Sequence, residues 1–353
     1  MEEKGTVLVF LGAGASASVG VPESRGLAAN IEQSLLLNAG RIKAIANRIT
    51  TFGFSYDVEA LLSVLEFWSD PKNMIKGTGA FFAETSKKKS LNSFRKHRED
   101  IRIKNGAKEI IVKNCFINDS ARIRSIKQRF TPFFKDIHDV FKLRDCNPAG
   151  IQPCPPIDVF TTNYDNAIEE YCETNGMIYC DGYREQVVRR RGTFIFDKGC
   201  YSESQDLLRL YKLHGTVTYA RRENGELVHM PLYSSGPLTI SGKPAFFDLI
   251  YPGTYRYGTR EPQFELFSLL KEKLSSCSCC ITIGYSFRDP NISQIFVDVL
   301  KARKRSGNQA KSFLVSIDAK AVIAEHSFGD LGMLAINKQF EHLKVKKDIK
   351  GCL

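Results

Sequence analysis

The sequence predicts an α/β fold, a parallel sheet with helices on both faces. Two observations carry this. Segments with apolar residues at helical spacing alternate along the chain with short, continuously apolar runs. Several of those runs, beginning with Val7 to Leu11, lack the polar alternation of a strand with one wet face. They read as strands buried on both sides.

The first run is cut off by glycines in Gly12-Ala13-Gly14-Ala15-Ser16. Glycine lets the backbone turn sharply and approach a ligand closely. A strand, a glycine turn and a helix place free N–H groups where a diphosphate can sit. The spacing is Gly-x-Gly-x-Ser, not the full Gly-x-Gly-x-x-Gly. On pattern alone, the turn reads equally as a nucleotide cradle or as an ordinary turn, and later segments decide.

The chain has 353 residues, 43% of them hydrophobic, enough for one large domain or two smaller ones with a core. No apolar run reaches the ~20 residues that span a bilayer. The chain starts Met-Glu-Glu-Lys and enters a strand at once, so no signal peptide is expected and the location reads as cytoplasmic. There are ten cysteines, with a single Cys-x-x-Cys spacing, Cys277 to Cys280, and no second pair to complete a four-ligand set. A structural zinc is therefore not expected, and neither are disulfides in a reducing compartment. Cys277-Ser-Cys279-Cys280 precedes Ile281 and reads as small filler at the start of a buried strand. The net charge is +11, with basic clusters at Lys87 to Lys89, Arg95 to Arg102, Arg122 to Arg129, Arg189 to Arg191 and Lys301 to Arg305. They read either as solvated surface or as contacts to nucleic acid or an acidic partner. No nucleic-acid module is recognisable.

Along the chain, Pro22 to Arg25 leads into a helix with Leu27, Ile31, Leu35 and Leu36 on its apolar face. Arg25 either reaches a phosphate or ribose or only shapes the loop. Tyr56 to Trp68 reads as a core helix through Leu61, Leu62, Leu65 and Trp68, with Asp57 at its cap. A basic helical insertion is expected over residues 51–149, between core segments 1–50 and 150–330. The proline-rich segment Asn147 to Pro156 marks the boundary, and residues 331–353 read as a C-terminal tail whose basic stretch Lys344 to Lys350 is surface or frayed.

Four more strand ends carry polar residues. The strand Ile157 to Thr161 is followed by Asn163 and Asp165, which suit either ligand chemistry or helix capping. Residues 177–205 read as irregular, with a short strand at Thr193 to Phe196. The next strand, from Leu208, ends at His214-Gly215, and histidine is the side chain best suited to exchange protons near neutral pH. Residues 225–260 hold strands or hairpins and a loop with Pro244, Pro252, Gly253 and Gly258. A helix with Phe264, Phe267, Leu270 and Leu274 then leads into Cys280 to Gly284. Ser286 and Arg288 follow as donors for phosphate or ribose, and Asp289-Pro290 reads as a helix start. The last clear strand is Phe313 to Ile317. Asp318 after it suits a ribose or an N-cap.

Four segments together resemble the sirtuin-like proteins of bacterial antiviral defence: Gly12 to Ser16 with Gly20-Val-Pro22, Thr162 to Asp165, Lys212 to Gly215, and Gly284 to Ser286 with Phe287 to Asn291. They occur in family order. Tyr56-Asp-Val-Glu-Ala-Leu-Leu is similar to a helix of those proteins. The resemblance implies a Rossmann-type NAD-binding domain with a helical insertion. Sirtuin deacylases usually carry a zinc ribbon of two Cys-x-x-Cys pairs, which this sequence lacks. The defence branch lacks it too and hydrolyses NAD to nicotinamide and ADP-ribose. By that resemblance NAD is the substrate and no metal takes part. Asn163 and His214 are catalytic, with Asp165 in support. Gly12, Ala13, Gly14, Ala15 and Ser16 bind the diphosphate, with Arg25, Gly284 and Ser286 nearby and Asp318 on the adenosine ribose. The resemblance further implies a homo-oligomer switched by another protein, with an ATPase of the HerA type as first candidate and DNA contacted through that complex. The alternatives are an NAD-dependent protein deacylase and a non-catalytic nucleotide- or DNA-binding subunit.

Overall fold

The computed structural model describes residues 6–69, 91–141, 156–188, 191–203, 208–222, 227–229, 239–240, 243–249, 262–308 and 310–349. Lys87 to Lys89, Arg189 and Arg190, most of the segment from Asn147, and Pro252, Gly253 and Gly258 lie outside the described residues.

The strands are β1 (Val7–Leu11), β2 (Ile157–Thr161), β3 (Tyr179–Cys180), β4 (Tyr183–Val188), β5 (Arg191–Phe196), β6 (Leu208–Lys212), β7 (Gly215–Arg222), β8 (Leu227–His229), β9 (Thr239–Ile240), β10 (Lys243–Leu249), β11 (Cys279–Ile283), β12 (Lys311–Ser316) and β13 (Met333–Asn337). Seven of them form one sheet in the order β13-β12-β11-β1-β2-β6-β3, and every pairing in it is parallel. The fold is thus α/β, with β1 at the centre of the sheet. All five residues of β1 are buried, as are all five of β2 and of β11. Side chains alternate across a strand. Val7, Val9 and Leu11 therefore join one apolar cluster, while Leu8 and Phe10 join another.

Helices cover both faces. They are α1 (Ala13–Ala17), α2 (Ser24–Ser34), α3 (Ala39–Thr51), α4 (Val58–Ser69), α5 (Leu91–Cys115), α6 (Ser120–Val140), α7 (Ala167–Thr174), α8 (Gly199–Glu203), α9 (Gln263–Ser276), α10 (Pro290–Ser306), α11 (Ala319–Glu325) and α12 (Val345–Asp348). The cluster around Val7 takes Ile31, Leu61, Leu65, Ile111, Phe134 and Ile168, so α2 and α4 to α7 cover that face. The cluster around Phe10 takes Leu270, Phe296 and Val322, from α9, α10 and α11. The helices expected as an insertion thus share the core of the sheet. They supply most of one covering layer.

Three expectations meet a different outcome. Residues 177–205 are not irregular: they hold β3, β4, β5 and α8. With β7 to β10, the strands β4 and β5 build a second sheet, antiparallel where paired, in the order β4-β5-β8-β7-β10-β9. Ile317 is not part of the last strand, which β13 succeeds at the sheet edge. The stretch 331–353 is not a surface tail as far as it is described, because Val345 and Ile349 are buried in the core. A short edge strand and one turn of helix between lysines leave little apolar pattern to read.

At the centre of the sheet, backbone meets backbone. Gly12 N–H donates to the Ile283 carbonyl (2.9 Å) and Gly14 N–H to the Gly284 carbonyl (3.0 Å). A Cβ on Gly12 would stand 2.5 Å from the Gly284 oxygen. One on Gly284, whose φ is +61°, would stand 2.5 Å from the Ala15 nitrogen. Beyond β6, Lys212 Nζ donates to Glu169 Oε1 (3.0 Å) and to the Asp165 carbonyl oxygen, which ties β6 to α7. Both side chains are buried.

Two outcomes follow for stability. Gly284→Ala forces an L side chain into left-handed backbone, about 1–2 kcal/mol, before any clash is counted. Urea unfolding of this variant should show a loss of at least that size. Lys212→Met leaves Glu169 buried without its partner and should cost about 3–5 kcal/mol. Adding Glu169→Leu should recover most of it, because the orphaned charge is gone. A double variant as unstable as the single one would show that the pair is not the cause.

Candidate functional site

In an open α/β sheet the ligand crevice lies beyond the carboxyl ends of the strands, where the chain order reverses. Here the chain runs from β1 to β2 on one side and later returns to β11 on the other, so the crevice lies at Gly12 and Gly284. The strand ends are level. Leu11 pairs with Ile283 and with Thr161, and Thr161 pairs with Lys212. Asn163 and His214 each stand two residues beyond those paired ends.

Asn163 is held on three sides. Its N–H donates to Thr161 Oγ1 (3.0 Å), and its amide nitrogen donates to the Gly12 carbonyl (2.9 Å) and to Ser16 Oγ (2.8 Å). The amide's protons are thereby committed to the glycine turn, and its carbonyl oxygen is left to accept. Asp165, two residues on, does the capping: its Oδ1 accepts the Ala167 N–H at the start of α7. The two readings open for this pair therefore divide, Asp165 capping and Asn163 not. In the turn itself, the N–H groups of Gly12, Gly14 and Ala15 are already engaged by the carbonyls of Ile283, Gly284 and Gly12.

His214 lies between β6 and Gly215, whose φ of +82° swings the chain out of the first sheet into β7. The imidazole is 1% exposed, and its Nε2 faces Asp289 Oδ2 at 3.2 Å. The other oxygen of Asp289 accepts the Asn291 N–H, which caps α10 behind Pro290. The expected cap is present, but it also orients the histidine. Asp289 was not legible as that partner, because a cap at Asp-Pro already explains the residue.

The loop from Gly284 to Asp289 carries a second left-handed residue, Phe287, at φ +55°. A bulky residue there is strained unless its surroundings fix it. Phe287 is buried against Tyr285, Phe296 and Phe328, with ring centroids 4.6–5.0 Å away. That anchor sets the two polar neighbours. Arg288 Nε donates to Ser286 Oγ (3.0 Å), and its Nη1 donates to Asp57 Oδ2 (2.9 Å). Asp57 Oδ1 caps α4 through the Ala60 N–H. The capping expected of Asp57 is present, and the ion pair joins that helix to the loop after β11.

The strand ends and the start of α4 enclose a cleft of about 50 Å³, lined among others by Ser16, Val58, Glu59, Asn163 and Asp165. That is room for a water or an edge of a sugar ring. Burial raises the Glu59 carboxyl above the usual range; His214 and Arg288 oppose this, and Asp57 and Asp289 add to it. Glu59 is the cleft residue that the sequence did not single out, because it sits beside an apolar stripe that explains the helix by itself.

Other expected site residues lie further out. Arg25 is exposed on α2. Asp318 is exposed beyond β12, where the Ser316 hydroxyl donates to it, and its side chain does not cap α11. The level ends of β1, β2, β6 and β11 therefore gather Gly12, Ser16, Asn163, His214, Gly284 and Ser286. Cys279 and Cys280 are buried within β11. Among the described residues no group of three or more His, Cys, Asp or Glu side chains is placed to hold a metal ion, and no helix is long and apolar enough to cross a membrane.

Comparison with solved structures finds sirtuin folds. A Sir2 homologue in complex with NAD is 12% identical over 96% of this chain and 86% of its own, with a TM-score of 0.45. A Sir2 homologue variant in complex with ADP-ribose is 14% identical over 97% and 92%, with a TM-score of 0.44. Sir2 bound to an acetylated peptide is 13% identical over 95% and 88%, with a TM-score of 0.41. No curated protein matches the chain. Residues 158–328, which carry Asn163, His214, Gly284 and Ser286, match the family model of the SIR2-like domain.

Proposed function

We propose that the chain is an NAD hydrolase that cleaves the nicotinamide–ribose bond to give nicotinamide and ADP-ribose. The observation that carries this reading is the convergence of Asn163, His214 and the glycine turn at the level ends of neighbouring strands. NAD already holds a cationic pyridinium leaving group, so departure of nicotinamide needs no general acid. What the site must do is stabilise a developing oxocarbenium ribose and deliver water.

Asn163 suits the first task. Its protons are fixed by Gly12 and Ser16, so its carbonyl oxygen meets a ribose hydroxyl or the water without reorganising. His214, oriented by Asp289, acts as base toward the ribose hydroxyl, and Asp165 holds the loop that carries Asn163. The Gly12 to Ser16 turn, Gly284 and Ser286 bind the diphosphate, Arg25 reaches a phosphate, and Asp318 serves the adenosine ribose. A whole dinucleotide needs roughly 300–1,000 Å³. The cleft of about 50 Å³ beside Asn163 is one part of such a site.

In this reading the protein is a cytoplasmic effector of antiphage defence that depletes NAD. It works as a homo-oligomer switched by a partner, first an ATPase of the HerA type, through which DNA is reached. The sequence lacks the two Cys-x-x-Cys pairs of a zinc ribbon, having only the one spacing Cys277 to Cys280, which sets the protein deacylase second.

The purified chain, alone or with the candidate ATPase, should release nicotinamide and ADP-ribose from NAD, as followed by chromatography. Asn163→Ala and His214→Ala should each lower turnover by ~10²–10⁴-fold, with circular dichroism of the folded state retained. Turnover that survives both substitutions removes the assignment. Acetyl-peptide-dependent formation of O-acetyl-ADP-ribose assigns a deacylase instead, and nucleotide binding without turnover assigns a non-catalytic subunit.

A further inference from the structure

We propose that Glu59 is a catalytic residue of this cleft and takes the proton of the water that attacks the ribose carbon. The inference rests on the NAD-hydrolase reading above. Three observations carry it, and none needs the glycine turn.

The first is place. Glu59 lines the cleft with Ser16, Asn163 and Asp165. The core stripe of α4 is Val58, Leu61, Leu62 and Leu65, all buried. Glu59 stands beside that stripe, so packing of the helix does not require an acid there. His214, by contrast, is not among the groups that line the cleft, and its Nε2 faces Asp289. A base for water is needed nearer the space where water fits.

The second is anchoring. A catalytic group must be held in place by its supports. Asp57 caps the helix at Ala60 with one oxygen and receives Arg288 with the other. Arg288 in turn is bound to Ser286. The first turn of α4 is thereby fixed to the loop after β11, which is itself pinned by Phe287. Glu59 sits within that turn.

The third is access. Glu59 is half-buried, and its carboxyl oxygens are not among the buried polar atoms shut off without a partner. They are open to a water or ribose hydroxyl in the cleft that Glu59 lines.

The step balances without a further reactant. The C1′–N bond to nicotinamide breaks and its electron pair neutralises the pyridinium. The water oxygen forms the new C1′–O bond, and its proton passes to Glu59, which later releases it to solvent. The base form of Glu59 is required, so activity rises with pH through its ionisation and then levels. Burial places that ionisation above the ordinary carboxylate range, nearer the working pH of a general base. The groups that face it are His214 after β6, Asp57 on its own helix, Arg288 and Asp289 after β11, Asp165 after β2 and Cys115 at the end of α5.

The test pairs turnover with binding in the full chain. Glu59→Gln keeps the size and removes the base. Its kcat for NAD should fall ~10²–10⁴-fold with KM little changed, and the rising acid limb of the pH profile should vanish. Glu59→Asp should restore part of the rate and a displaced limb. In calorimetry, Glu59→Gln should weaken ADP-ribose binding by about 3–10-fold, because its anomeric hydroxyl is the oxygen of the attacking water. ADP, which lacks that ribose, should bind as in the wild type. Turnover within twofold of wild type with the same pH profile overturns this inference and leaves the hydrolase standing. Equal weakening of ADP and ADP-ribose also overturns it, since a merely structural wall would do that. A wild-type chain that binds ADP-ribose but never turns over NAD overturns the hydrolase and this role together.

Discussion

The close approach of Gly12 and Gly14 to Gly284 is the constraint on which the rest depends. The two parallel strands at the switch point end so near each other that a Cβ on Gly12 or Gly284 would stand 2.5 Å from the other strand's backbone. Only glycine fits, and only with that contact do β1 and β11 finish level. From there register does the work. Leu11 is level with Thr161, and Thr161 with Lys212. Asn163 and His214 therefore each stand two residues beyond a paired strand end. The turn was read as a diphosphate cradle, but three of its N–H groups serve β11 and the turn itself. Its first role is to bring strand ends together.

Much of this was legible because buried parallel strands write themselves plainly. Val7 to Leu11 is apolar without interruption, and Ile157 to Thr161 and Cys280 to Ile283 are broken only by Asp158 and by Thr161 and Thr282, since both faces are covered. Polar residues after such runs mark the crevice, and so Asn163, His214 and Ser286 could be picked out in advance. The second sheet is legible only in part: Thr193 to Phe196 falls in β5 and the strands expected over 225–260 include β8 to β10, but β4 and β7 escape. Its strands carry Arg184, Glu185, Arg221 and Arg222, and charged residues in short segments resemble loops. β3 has two residues and β13 lies at an edge with partly exposed side chains, too little pattern for a period to appear.

Pairings were the least legible feature. Asp57 and Arg288 are separated by 231 positions, and His214 and Asp289 by 75. Each aspartate also caps a helix, with its other oxygen. A cap is a local event that sequence can propose, and it satisfies the residue so well that a second partner is not sought. One side chain carries both roles because a carboxylate has two oxygens, each able to accept. The cap fixes the side chain on its own helix, and the second oxygen then presents a fixed acceptor to a distant residue.

This dual use explains why charges gather here despite their cost. A buried ion pair contributes little net stability, because desolvation offsets the attraction. Lys212 with Glu169 is such a pair; the His214–Asp289 contact and the half-exposed Arg288 with Asp57 stand near the same strand ends. Asp289 orients His214, and Asp57 holds the turn that carries Glu59. Lys212, through the Asp165 carbonyl, secures the loop of Asn163. The helices from residue 58 to 140, read from sequence as an addition to the sheet, are on this account part of the site. They cover the face on which Val7, Val9 and Leu11 lie, and the first turn of α4 closes the cleft. A signal that moved that turn would reach Glu59 and, through Arg288, the loop of Ser286 and Asp289 in one step.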